Sequence, residues 1–95
     1  MSAVLDAYYK IKADNPGGLL FFRMGDFYEA FADDAVAVSK ALGITLAKRG
    51  DIAMCGVPAH SSRGYFAALA DSGNRVDVYR YAPRARKFVR DEGAL

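Results

Sequence analysis

The chain has 95 residues, of which 53% are hydrophobic, and a formal net charge of +2. That length predicts one domain able to bury somewhat over ~60% of its unfolded surface around a core without staples. A charge so close to zero excludes a protein that holds duplex nucleic acid by charge density alone, and one cysteine, Cys55, excludes an internal disulfide.

Charge is unevenly placed. Residues 1–47 carry 4 basic and 6 acidic side chains (net −2), whereas residues 48–95 carry 9 basic and 5 acidic (net +4). Attraction to phosphate therefore falls mainly on Lys48, Arg49, Arg63 and the Arg84–Arg90 segment, unless these are simply a solvated surface. No apolar run approaches the ~18 residues of a membrane span, and no signal-peptide pattern is present. With a single cysteine, this implies a reducing, cytoplasmic location and no membrane partner.

In chain order, Val4, Tyr8 and Ile11 recur at helical spacing over residues 3–13, with Ser2 as N-cap. Asp14-Asn15-Pro16-Gly17-Gly18 breaks that helix. Leu19–Phe31, LLFFRMGDFYEAF, is a continuous apolar run, a Gly-Asp break and an alternating run. This pattern predicts a buried strand, a tight turn and a second strand. Asp33 and Asp34 suit a helix N-terminus, Ala35, Val38, Ala41 and Leu42 give that helix an apolar face, and Gly43 suits its end. Ile44–Lys48 and Ile52–Val57 read as strands around an Arg49-Gly50-Asp51 turn. Ser61 or Ser62 can cap a helix that runs to Ser72 and stops at Gly73. Arg75–Tyr81 alternates as a half-buried strand.

The order α-β-β-α-β-β-α-β predicts an α/β (α+β) fold, a mixed sheet of about five to six strands with about three packed helices. The folded domain is expected to span 1–81. Residues 82–95 read as a basic tail in which Phe88-Val89 make at most a short edge contact.

Parts for an enzyme are missing. His60 stands alone at a strand end, and Cys55 lies in an apolar run as a small core residue. One His and one Cys do not make a metal site. The sequence has no phosphate loop ending in Gly-Lys-Ser/Thr and no Glu-x-Lys pair of the kind metal-dependent nucleases use. No catalytic residue, cofactor or metal is expected.

Phe27 and Glu29 share one face of their strand, roughly 7 Å apart. An aromatic on a strand commonly packs inside, but a carboxylate beside it is costly to bury unpaired. The face bearing both is therefore expected near solvent at least in part, with Tyr28 and Ala30 inward. Phe31 shares that exposed parity, which is awkward unless the strand bends or ends there.

LLFFRMGDFYEAFADDA resembles the N-terminal mismatch-recognition domain of the MutS DNA mismatch repair family. The similarity continues through Ile44–Gly50, Met54-Cys55-Gly56-Val57-Pro58-Ala59-His60 and Tyr65–Gly73, covering roughly residues 4 to 81. The resemblance implies that Phe27 wedges beside a mispaired base, that Glu29 hydrogen-bonds to it, and that Lys48, Arg49 and His60 lie in the DNA-facing region. It implies duplex DNA with a mismatch or an unpaired base as partner. It departs from the family in a shorter loop after Gly50, in a last strand without the usual Cys-Glu-Gln, and in lacking the connector, lever, clamp and ATPase domains. Met1 reads as a true start, implying a free-standing domain or a truncated copy. Two rivals stay open: a module that docks on mismatch repair proteins without touching DNA, and a basic-tail binder using Arg84, Arg86, Lys87 and Arg90.

Overall fold

The structure, a computed structural model, describes residues 2–95. Met1 and the side chain of Ser2, with its expected capping role, lie outside the described residues. Helix α1 (Ser2–Asp14) leads into strands β1 (Gly18–Met24) and β2 (Phe27–Phe31), helix α2 (Ala32–Leu42), and strands β3 (Ala47–Arg49) and β4 (Ile52–Pro58). A 3-10 turn (Ala59–Ser61), helix α3 (Ser62–Asp71), strands β5 (Arg75–Ala82) and β6 (Lys87–Arg90), and a final 3-10 turn (Glu92–Ala94) complete the chain.

The strands form one sheet in the order β3-β4-β2-β1-β5-β6. Among the described residues only β1 and β5 pair in parallel; the other neighbours are antiparallel. The mixed six-stranded sheet with three helices is the α+β architecture the element order predicts.

Helices cover both faces, which explains the unbroken apolar run of β1. On one face Leu19, Phe21, Tyr28 and Ala30 pack with Ala35 and Val38 of α2 and Phe66 and Leu69 of α3. On the other, Leu20, Phe22 and Phe31 pack under Tyr8 of α1. Tyr8 meets Phe22 and Phe31 edge to face, each at 5.1 Å between ring centres, a favoured aromatic geometry. Its hydroxyl donates to the Leu20 carbonyl at 2.6 Å, accepts from the Phe31 N–H at 3.1 Å and touches Asp34 at 3.2 Å. Asp34 also accepts from the Leu20 N–H at 3.0 Å and pairs with Lys12 at 3.0 Å. It is thus a buried anchor for α1 as well as a charge at the start of α2.

Phe31 resolves the parity problem. It does share a face with Phe27 and Glu29, but α1 covers that face at the Phe31 end, and Phe31 is fully buried.

Three features differ from the sequence expectation. Strand β3 begins at Ala47 rather than Ile44, because Gly43 closes α2 in the left-handed conformation (φ 67) and the Ile44 N–H is spent on the Ser39 carbonyl. Ser61 takes the N-cap position of α3 without a side-chain cap bond, and the Ser62 hydroxyl donates to the Ala59 carbonyl instead.

The third difference corrects the tail. Residues 82–95 belong to the folded unit: β6 adds to the sheet edge, and Phe88 stacks on Phe22 at 4.1 Å. Arg90, though exposed, is not a free charge. It pairs with the buried Asp77 at 3.0 Å, alongside Arg75 at 3.0 Å. Arg63 then holds the end of the chain by donating to the Gly93 and Leu95 carbonyls. A buried carboxylate needs its countercharge, so Asp77 draws β6 onto the sheet. The folded unit therefore does not stop at residue 81.

Candidate nucleic-acid interface

The β1–β2 turn is Gly25-Asp26, and Gly25 adopts φ 61, a left-handed conformation suited to glycine. The Asp26 carbonyl accepts from the Ala59 N–H at 2.8 Å. This bond ties the hairpin tip to the segment after β4, so residues 25–27 and 58–60 form one surface. Phe27 opens β2 opposite Pro58 and is 46% exposed, in contrast to Tyr28 and Ala30, which face the core.

Glu29 lies two residues along on the same face. Its sheet neighbours are Phe22 and Gly56. Gly56 carries no side chain on this face, and the Glu29 and Phe27 side chains flank it: a Cβ there would lie 3.4 Å from Glu29 Cγ and 3.5 Å from a Phe27 ring carbon, in contact with both.

The Phe27–Glu29 face is near solvent only in part: Phe27 is exposed, whereas Glu29 is 9% exposed. Its charge is balanced by Arg49, whose Nη2 stands 3.2 Å from Oε1. Burial pushes the Glu29 carboxyl above its ordinary value, and the Arg49 charge opposes that rise in part. The sheet register makes the pairing possible. Arg49 pairs with Ile52 and so shares a face with Met54, Phe31 and Glu29.

Lys48 does not join the group. As the neighbour of Arg49 on an extended strand, it points to the opposite face, where it is exposed. His60 lies by Phe27 rather than by the Glu29–Arg49 pair: it is exposed and lines a hollow of about 500 Å³ with Arg23, Asp26, Phe27, Pro58 and Ala59. Arg23 and Gly56 are the neighbours of Phe27 and Glu29 that sequence reading missed. Arg23 donates to the Gly25 carbonyl at 2.6 Å, and its guanidinium lies 5.3 Å from the Tyr28 ring centre. The signal for Arg23 was its place as the one cation next to the hairpin turn, with Met24 between. Cys55 packs in the core, its thiol 3.5 Å from the Ala35 carbonyl.

Fold and surface together define a recognition domain: an α+β sheet that presents an exposed ring and a cation-paired carboxylate at one hairpin. The chain belongs to the family described as MutS domain I, whose profile matches residues 2–90. It is 52% identical over 99 aligned residues to the DNA mismatch repair protein MutS of Rhodopseudomonas palustris strain HaA2, covering 94% of this chain and 11% of that protein. With the DNA mismatch repair protein MutS of Cereibacter sphaeroides strain ATCC 17023 the identity is 51% over 83 residues, covering 82% of this chain and 10% of that protein. The chain thus spans about a tenth of the length of these curated relatives. Among the described helices none is long and apolar enough to cross a membrane.

Proposed function

We propose that this domain is a non-enzymatic probe of duplex DNA that prefers mismatched or unpaired bases, acting in the cytoplasm. Phe27 stacks beside a weakened base, and Glu29 accepts a hydrogen bond from that base or shares a proton with it. The observation that carries this reading is the exposed Phe27 ring on the same strand face as Glu29, with both side chains flanking the side-chain-free Gly56. Unstacking a base step costs a few kcal/mol, while one base–aromatic stack returns about 1–3 kcal/mol. The exchange is near balance, so it favours steps whose stacking is already poor.

His60 and Arg23, around the hollow beside Phe27, serve as backbone contacts. Arg49 approaches phosphate only by leaving or sharing Glu29. Lys48, on the opposite face, adds only long-range attraction. With so few contacts the isolated domain binds weakly, in the range of about 10⁻⁴–10⁻⁶ M typical of nonspecific binding at physiological salt.

Fluorescence anisotropy on matched, G·T and single-unpaired-base duplexes tests this. Phe27→Ala should weaken binding to the defective duplexes by about 5- to 150-fold, the equivalent of one lost stack, without altering the fold, since the ring is exposed. Equal binding to all three duplexes, unchanged by Phe27→Ala, refutes the proposal. The modest net charge suits the rival reading, a module that docks on mismatch repair proteins. Absence of duplex binding at low salt together with a stable complex with a repair protein would favour it.

A further inference from the structure

Resting on the recognition reading above, we propose that Arg49 is a positioning residue: it holds the Glu29 carboxylate against the sheet and so sets discrimination between duplexes, rather than adding general affinity for phosphate. Sequence spacing alone gives no reason to link residues 20 apart. The structure sets them on one face of the sheet, with Nη2 3.2 Å from Oε1.

The environment of Glu29 leaves Arg49 little substitute. Phe22 and Gly56, its sheet neighbours, carry no charge. The cations that meet carboxylates elsewhere in the domain are committed: Lys12 to Asp34, and Arg75 and Arg90 to Asp77. The Glu29 side chain is 12% exposed and the Arg49 side chain 38%. The carboxylate is therefore held at the surface of the sheet, while the guanidinium keeps an open side toward solvent. A carboxylate placed this way has one defined direction in which to meet a base. Released from Arg49, it would swing, and its charge would repel every phosphate alike.

A phosphate contact and a positioning contact make opposite demands on the same side chain. As a phosphate contact, Arg49→Gln weakens all duplexes equally, lowers the log–log salt slope by roughly 0.9, and does so whether or not Glu29 is present. As a positioning contact, Arg49→Gln moves the ratio of mismatch to match affinity toward one, and it does so only while residue 29 is Glu.

The test has two arms. In the free domain, the Glu29 side-chain carboxyl carbon is titrated by NMR in wild type, Arg49→Lys and Arg49→Gln. Loss of the nearby cation in Arg49→Gln should raise the titration midpoint, and Arg49→Lys should restore it in part. An unmoved midpoint in Arg49→Gln overturns the proposal without reference to DNA. In the second arm, anisotropy on matched and G·T duplexes compares Arg49→Gln, Glu29→Gln and the double variant. Loss of discrimination in Arg49→Gln with no further loss in the double variant supports positioning. An equal drop on both duplexes in both backgrounds overturns it. Equal binding of the wild type to both duplexes is the separate failure of the recognition reading, and the NMR arm still decides whether Arg49 holds Glu29.

Discussion

Removing one oxygen from Tyr8 should be among the most damaging conservative changes in this domain. Tyr8 is 1% exposed, and its hydroxyl joins three elements: it donates to Leu20 of β1, accepts from Phe31 at the end of β2, and touches Asp34 of α2. Burial pushes the phenol pKa up, so the group stays a protonated hydroxyl across the accessible pH range. Tyr8→Phe keeps the ring and its contacts with Phe22 and Phe31 but leaves the Phe31 N–H without its acceptor and the Leu20 carbonyl without its donor. Each orphaned buried group costs about 1–3 kcal/mol, and partial relaxation brings the pair to about 3 kcal/mol. A domain of this size has roughly 5–14 kcal/mol to lose, and each kcal/mol moves its midpoint by about 4–8 °C. Thermal unfolding followed by circular dichroism should therefore show a Tm roughly 12–24 °C below wild type. Tyr9→Phe, at a ring that is 43% exposed, should stay within about 0.5 kcal/mol. A Tyr8→Phe midpoint within about 3 °C of wild type would refute the claim that this hydroxyl fastens α1 to the sheet.

Asp77→Asn should cost about 1–2 kcal/mol at neutral pH, less than a fully buried pair because the Arg75 and Arg90 side chains are 53% and 39% exposed. Burial pushes the Asp77 carboxyl up, but the hydrogen bonds and charges of Arg75 and Arg90 outweigh it and hold the pKa below its usual value. A folded pKa below the unfolded one means the stabilisation is whole above the unfolded value of about 3.9 and drains as pH falls through the folded value. Urea titrations should find the wild-type advantage intact at pH 7 and shrinking below about pH 4; an advantage that grows on acidification contradicts the assignment. A Cβ at Gly56 would already touch Glu29 Cγ and the Phe27 ring, so the extra methyl groups of Gly56→Val should displace one of them and lower duplex discrimination while the circular dichroism spectrum is kept, with Gly56→Ala between. Wild-type discrimination in Gly56→Val would show that the placement of these two side chains does not set it. The Cys55 thiol, pushed up to about 11 by burial, should react with a disulfide reagent only as fast as the domain unfolds; rapid labelling of the native protein would show the thiol is accessible.

Much of the fold was legible because its signals are local. The β1–β2 hairpin declares itself in a continuous apolar run, a Gly-Asp break and an alternating run. Gly43 announces the end of α2. Strand β6 was not legible. Lys-Phe-Val-Arg among charged neighbours reads as solvated chain, and it joins the sheet through partners far away in sequence: Phe88 on Phe22 and Arg90 on Asp77. Phe31 looked out of place for the same kind of reason, since its cover comes from Tyr8 of α1, 23 residues upstream. Within the proposed site, Phe27 and Glu29 could be set on one face from the chain, whereas His60 was named only by the family resemblance. Lys48 and Arg49 could not be told apart, because a strand only three residues long offers no alternation to show which of the two faces the site.

The sequence by itself determined the order of elements as far as β5 and the fact that Phe27 and Glu29 share a face. The first follows from local pattern and turn residues, the second from covalent geometry, since a strand sends alternate side chains to opposite sides whatever surrounds it. Only the tertiary structure decided that Phe27 stays in solvent, that Glu29 is buried against a guanidinium, and that Phe31 on the same face is core. Burial and charge pairing depend on what packs across a surface, and here that is α1 at one end and Arg49 of β3 beside it. Neither neighbour is encoded in the strand they cover.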